Sequence, residues 1–325
     1  MGRFLASIFD LRREERTLAF LMALYHVLLL VSLYLLKPVR DSLFLSSRGA
    51  AELPFVFLLT TAVVVPVAYF HTRASRRTSV GPLIDGVSIA LVLSLVGLWG
   101  LLSVEGEWVT YLLYAWVSIY GLVVTSQFWL MANALFTASQ SKRIFTLLSA
   151  GAIVGAILGG EVTGLLVDGL GMASENLLLG AGGVLLGATA LARGIRRYDR
   201  QKERLGPADG EDAAEVKEAA GALPIIRESR HVQLIVGILT IMVVVTTMVD
   251  YQFKTVAAQA FPSEGGLTTF MGHFYGRVSV IALLVQMIVA PRLMRVVGIG
   301  GALSLLPSML ALGAVGMILM PGLVA

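Results

Sequence analysis

Long apolar runs, broken at fairly regular intervals by short polar stretches, dominate the pattern along this chain. A helix needs about 20 apolar residues to cross a bilayer. Nine windows reach that length, at residues 17–36, 54–71, 81–103, 108–136, 144–168, 174–194, 232–254, 269–291 and 299–321. The connections are short except for the stretch from Arg196 to His231. That stretch is charged, rich in alanine and glutamate and poor in aromatic residues, which predicts a solvated linker with a surface helix. The pattern therefore predicts an all-α polytopic membrane protein: six spans over 1–195, a linker over 196–231, and three more spans over 232–325.

Composition and charge sharpen this picture. Of the residues, 57% are hydrophobic and 14% charged, and the mean hydropathy is +0.82. A soluble domain carries about 25% charged residues, so lipid must solvate most of this surface. Of the 25 lysines and arginines, 20 fall at one set of ends. These lie before the first span, between spans 2 and 3, between spans 4 and 5, from the end of span 6 to the start of span 7, and between spans 8 and 9. By the bias of positive charge toward the cytoplasm, the N-terminus and the linker 196–231 are cytoplasmic. The first 16 residues hold four arginines and three acids, and no A-x-A cleavage site follows the apolar run. The first run is thus an uncleaved span rather than a signal peptide.

Several chemistries are excluded. Cysteine is absent, which removes disulfides and thiolate metal sites. His26, His71, His231 and His273 form no HExxH pair, and no GxxxxGK[ST] loop is present. No nucleophile–base set presents itself, so neither an enzyme, a catalytic residue, a metal nor a cofactor is expected. The net charge of +4 belongs to the loops and does not predict nucleic-acid binding.

Five basic residues depart from the rule: Lys37, Arg40, Arg48, Lys254 and Arg277. Charges within spans are costly and usually face a cavity or a partner. Lys37 and Asp41 are spaced i,i+4, as are Asp250 and Lys254, so each pair shares a helix face and can neutralise itself. The two pairs occupy corresponding places, near the outer end of the first span of each half, as an internal repeat would produce. Two readings remain open: lysines that snorkel to the outer headgroups, or two half-sites of a cavity. Arg48 lies in a loop and is solvated, whereas Arg277 lies well inside its span and is expected to face a cavity.

Glu161 lies deep in the fifth window, either as a proton or substrate site or as the partner of a basic residue on another helix. Asp85, near the start of the third window, is expected to cap that helix. Gly151, Gly155 and Gly159 repeat every four residues, and Gly160 with Gly164 makes another such pair. A smooth face of this kind lets a neighbouring helix approach closely, for packing or for sliding.

A central loop between two spanning groups is the plan of major-facilitator-like bundles, whose halves hold six spans each. On that plan about nine of twelve transmembrane helices are present, and the second half stops after three. A genuine nine-span protein is the alternative. The stretches "LLKPVRDSLFLSSRGAAELPFVF", "SQFWLMANALFTASQSKRIFTLLSAGAIVGAILGG" and "DYQFKTVAAQAF…FMGHFYGRV" resemble the bacterial and plastid nucleotide transporters. This is the ATP:ADP antiporter (NTT/TLC) family of the major facilitator superfamily, and the likeness is nearest to a bacterial branch. The motifs are K-P-x-R-D with Lys37, Arg40 and Asp41, F-W-x-x-A-N with Phe128, Trp129 and Asn133, and an acid four residues before Lys254, here Asp250. The resemblance implies counter-exchange of nucleotides, with Lys37, Asp250 and Lys254 among the charged residues that contribute to transport. One position departs from the pattern. Where the exchangers carry a glutamate on the fourth span, this chain reads Trp116, Val117, Ser118.

The leading expectation is a secondary transporter of an anionic phosphorylated metabolite, nucleotide-like, in a bacterial inner membrane. It would bind ATP or ADP-like substrate at Lys37, Arg40, Lys254 and Arg277, with Asp41, Asp250 and Glu161 as charge partners or coupling groups. Its partners are the lipid bilayer and that substrate, with the protein a monomer. Two alternatives stand beside it: a non-transporting membrane anchor or sensor coupled to a soluble partner, and a proton-coupled transporter of another solute.

Overall fold

The computed structural model describes residues 15–205 (except 105 and 107), 229–289 and a few positions between 292 and 309. Among these, every regular element is helical, and eight helices are long and apolar enough to cross a membrane. The protein is a polytopic helical membrane protein. The ninth expected window, 299–321, and most of the linker lie outside the described residues.

The long helices are α1 (Arg16–Arg48), α2 (Leu53–Arg77), α3 (Val80–Leu101) and α4 (Trp108–Leu135). They continue with α5 (Ala138–Gly164), α6 (Leu177–Leu205), α7 (Arg230–Ala260) and α8 (Glu264–Leu284). The chain divides into two compact units, one of Met1–Asp209 with Tyr251–Val280, the other of Gly210–Asp250 with Ile281–Ala325. The boundary thus falls within α7, between Asp250 and Tyr251.

In the first unit α1 is the central helix. It packs chiefly against α5, then against α6 and α4, while α3 packs on α6 and α2 on α4. The reason is legible in its stripe of buried residues, Leu18, Met22, Tyr25, Leu29, Ser32, Leu36 and Val39, alternately four and three apart. That spacing keeps one face turned to its neighbours. Its opposite faces are apolar too, as a helix surrounded by other helices requires. By contrast α2 leaves Phe55, Leu58, Tyr69 and Phe70 exposed. Apolar side chains in such a continuous band are solvated by lipid tails, not water.

The sequence pattern placed the end of the first span at residue 36, but α1 runs on to Arg48, through all the charges of K-P-x-R-D. Pro38 sits inside it and cannot donate to the carbonyl of Tyr34. Thr163 on α5 repairs the gap: its hydroxyl lies 3.3 Å from the Tyr34 carbonyl oxygen and 2.8 Å from that of Gly159. A neighbouring Ser or Thr supplying the freed backbone group is how membrane helices tolerate proline.

The glycine repeat on α5 is a packing device. A Cβ at Gly151, Gly155 or Gly159 would meet the carbonyl oxygens of Ala23, Val27 and Val31 at 2.8, 2.5 and 2.8 Å. Those are backbone atoms of α1 and cannot swing away. Gly160 turns the same surface toward α8, where a Cβ would come within 2.6 Å of the Gly272 carbonyl oxygen and the Gly276 nitrogen. The motif residues of α4 also serve the core. Phe128 is fully buried and stacks on His26 at 3.6 Å, and His26 Nδ1 lies 2.9 Å from the Leu148 carbonyl oxygen. Trp129 packs edge-on against Phe128 and Phe145, while Asn133 is exposed.

Candidate functional site

Asp41 lies within α1 and is wholly buried, so its charge must be met by the protein. Neighbours on α1, α7 and α8 meet it. Arg40 donates from Nε at 2.9 Å and Nη2 at 2.8 Å to Oδ1. Lys254 of α7 brings Nζ to 3.3 Å from the same oxygen. Tyr275 of α8 donates its hydroxyl to Oδ2 at 2.7 Å. One carboxylate therefore holds two cations and a phenol from three helices.

The cations have further partners on α4. Lys254 is only 2% exposed and donates to the Tyr114 hydroxyl at 2.9 Å. The Arg40 guanidinium lies 4.3 Å from the centre of the Tyr114 ring and donates from Nη1 to the Ser118 hydroxyl at 3.2 Å. Lys37 stands at the edge of this group, its Nζ 4.5 Å from the centre of the Tyr275 ring and 5.4 Å from that of Tyr34. Such placements of cations over aromatic faces are favourable, most of all where water is excluded. Next to Asp41, Ser42 shares a hydrogen bond with Thr268 of α8 at 2.5 Å, and Ser174 reaches Thr268 at 2.9 Å. Arg40 and Lys254 outnumber Asp41, so the cluster carries excess positive charge even before Lys37 is added.

Of the residues singled out by sequence, Lys37, Arg40, Asp41 and Lys254 are brought together. Where a partner one turn away on the same helix was expected for Lys254, the structure shows a contact across helices, to Asp41. Asp250 is half-buried and belongs to the other unit. Arg277, expected to face a cavity, is exposed. It follows Tyr275 by two residues, which at about 100° per residue turns it well away from the face that meets Asp41. Glu161 has a basic partner on another helix: its Oε2 lies 2.7 Å from Nδ1 of His273 on α8. Both are partly exposed, beside the Gly160–Gly272–Gly276 crossing. Asp85 does not cap α3. It lies more than one turn inside the helix and pairs with Arg193 at 3.1 Å and Arg196 at 2.8 Å on α6. Tyr114, Ser118 and Tyr275 were not singled out as binding groups from sequence. Their signal was position: tyrosines well inside spans rather than at the headgroup level, where aromatic residues usually collect.

These features define an integral membrane protein of many helices that buries a cation-rich cluster among them. Residues 85–179 match the family model described as TLC ATP/ADP transporter, which supports the nucleotide-exchanger family that the motifs resemble. The matched segment includes the F-W-x-x-A-N motif and the glycine repeat, whereas the K-P-x-R-D and DYQFK stretches lie outside it. The family that this model describes is one of membrane transporters. No curated protein and no solved structure matches the chain.

Proposed function

We propose that the protein is a secondary transporter that exchanges an anionic phosphorylated metabolite of the nucleotide class by alternating access. The observation that carries this reading is a single buried carboxylate, Asp41, shared by Arg40 and Lys254 from two different helices. In the substrate-free protein Asp41 offsets part of this positive charge and holds the helices together. A phosphate group offers the same cations stronger, partly bidentate partners in a site of low dielectric. When phosphate takes Arg40 and Lys254, Asp41 is released, and the tie between α1 and α7 changes with occupancy. Lys37 completes the cationic side of the site. On this reading the chain has a major-facilitator plan with halves at 1–195 and 232–325, and lies in a bacterial inner membrane with its N-terminus and linker cytoplasmic. Asp250 would serve as a coupling group.

The test is uptake of labelled ATP or ADP by proteoliposomes holding the full chain preloaded with unlabelled nucleotide. Lys37→Ala and Lys254→Ala are each expected to lose uptake while keeping a folded, monodisperse protein. Lys254→Ala should fold because Arg40 still meets Asp41. Wild-type exchange in both variants would overturn the proposal.

The Glu161–His273 pair supports a second reading, proton-coupled movement of another solute, because a carboxylate and an imidazole at 2.7 Å can share and release a proton. Uptake driven by an imposed pH gradient without internal nucleotide, and lost in Glu161→Gln, would favour it over exchange.

A further inference from the structure

A second cationic site lies away from the buried cluster. At the end of the bundle where α3 begins and α6 carries its arginines, a cavity of about 450 Å³ is lined by Gly81, Pro82, Asp85, Arg193, Arg196, Arg197 and Arg200. Four arginines stand against one aspartate, leaving three positive charges in excess. Asp85 accepts from Arg193 and Arg196, which fixes those two side chains and leaves Arg197 and Arg200 exposed. The fixed pair is not satisfied by this. Nη1 of Arg196 is buried and makes no hydrogen bond within the protein. A Cβ on Gly81 would sit 3.3 Å from Arg196 Nε, so the glycine is what lets the guanidinium lie along the first turn of α3. That turn also belongs to the cavity wall, and backbone N–H groups at a helix start favour anions.

We propose that this cavity binds a phosphate group, supplied by the headgroup of an anionic phospholipid. The residues are those that recognise phosphate: planar guanidinium groups, two of them held in place and two free to close over the ligand. Their location suits a lipid. The same end of the bundle carries Arg73, Arg76 and Arg77 at the close of α2, so it is the basic end of the protein. Basic pockets between transmembrane helices at the cytoplasmic side characteristically hold anionic headgroups. Asp85 acts as an internal competitor that keeps Arg193 and Arg196 oriented when the cavity is empty. Bound lipid would thereby fasten α3 to α6. The inference does not depend on what the protein transports.

The experiment follows thermal unfolding of the full chain in a neutral maltoside detergent during titration with phosphatidylglycerol, phosphatidylcholine or inorganic phosphate. Phosphatidylglycerol is expected to raise the unfolding temperature saturably, and phosphatidylcholine is not. The exposed pair Arg197→Gln/Arg200→Gln should weaken the apparent affinity about thirtyfold, since each basic residue near a membrane surface contributes about a factor of five. Asp85→Asn should tighten it, because the competing carboxylate is gone. That opposite direction is one a merely destabilising change would not produce. If inorganic phosphate protects as well as the lipid, with the same dependence on Arg197 and Arg200, the phosphate site stands and the lipid source falls. Equal effects of the two lipids, or an unchanged response in the double variant, would overturn the proposal.

Discussion

At Asp41 the interaction at stake is a buried charge whose partners come from three helices. Removing one member of a buried ion pair costs about 3–5 kcal/mol, because the charges left behind remain desolvated. Asp41→Ala leaves Arg40 and Lys254 buried and facing each other, so the thermal unfolding temperature of the purified protein should fall sharply. Tyr275→Phe removes one hydrogen bond to the carboxylate and should cost only about 1–3 kcal/mol. An Asp41→Ala protein that unfolds at the wild-type temperature would show that the cluster is not the tie described here. The sequence made Asp41 and Lys37 visible as charges out of place, but not their real neighbours. Helical spacing predicts contacts one turn away along the same helix, whereas Lys254 and Tyr275 reach Asp41 from more than 200 residues on. The same limit explains Asp85, whose arginines lie over 100 residues away on α6.

Helices, rather than residues, were the level at which the sequence spoke most plainly. Runs of about 20 apolar residues have few alternatives to a spanning helix, and eight of the nine windows coincide with long helices among the described residues. The end of α1 was less legible because charges normally mark the edge of a span; here they sit within a helix that neighbouring helices satisfy. The glycine repeat was legible as a smooth face, and the structure decides which helix uses it. This makes a paired prediction possible. Gly155→Ala would drive a Cβ to within 2.5 Å of the Val27 carbonyl oxygen and 2.8 Å of Leu30 Cβ. Overpacking of this kind costs about 1–3 kcal/mol, and the variant should unfold at lower temperature than the wild type. Gly180→Ala, in the exposed part of α6 with open space at its Cβ, should be neutral or stabilising by up to about 1 kcal/mol. Equal responses at the two sites would mean that α1 and α5 do not meet as closely as the backbone places them.

On the scale of the whole molecule, the distribution of basic residues and the two clusters have a common consequence. The exposed arginines gather at one set of helix ends, those of Arg76 and Arg77 on α2 and of Arg193 to Arg200 on α6. Lys37, Arg40 and Lys254 are instead tied into the bundle by carboxylate, hydroxyl and aromatic partners, as buried intramembrane charge requires. Only the first group can therefore report orientation, and the positive-inside bias predicts a cytoplasmic α2–α3 turn. The chain has no cysteine of its own, so single introduced thiols report without background. Thr78→Cys lies in the exposed α2–α3 turn and Ser103→Cys just beyond α3, at opposite ends of one span. In intact cells a membrane-impermeant maleimide should label Ser103→Cys and leave Thr78→Cys unmodified until the membrane is opened. The reverse pattern would place the arginine-lined cavity at the outer face. It would remove the charge-based orientation, and with it the reason to look for a cytoplasmic-leaflet lipid there. The buried Asp41 cluster would be untouched, because its contacts are made within the bundle and depend on neither face.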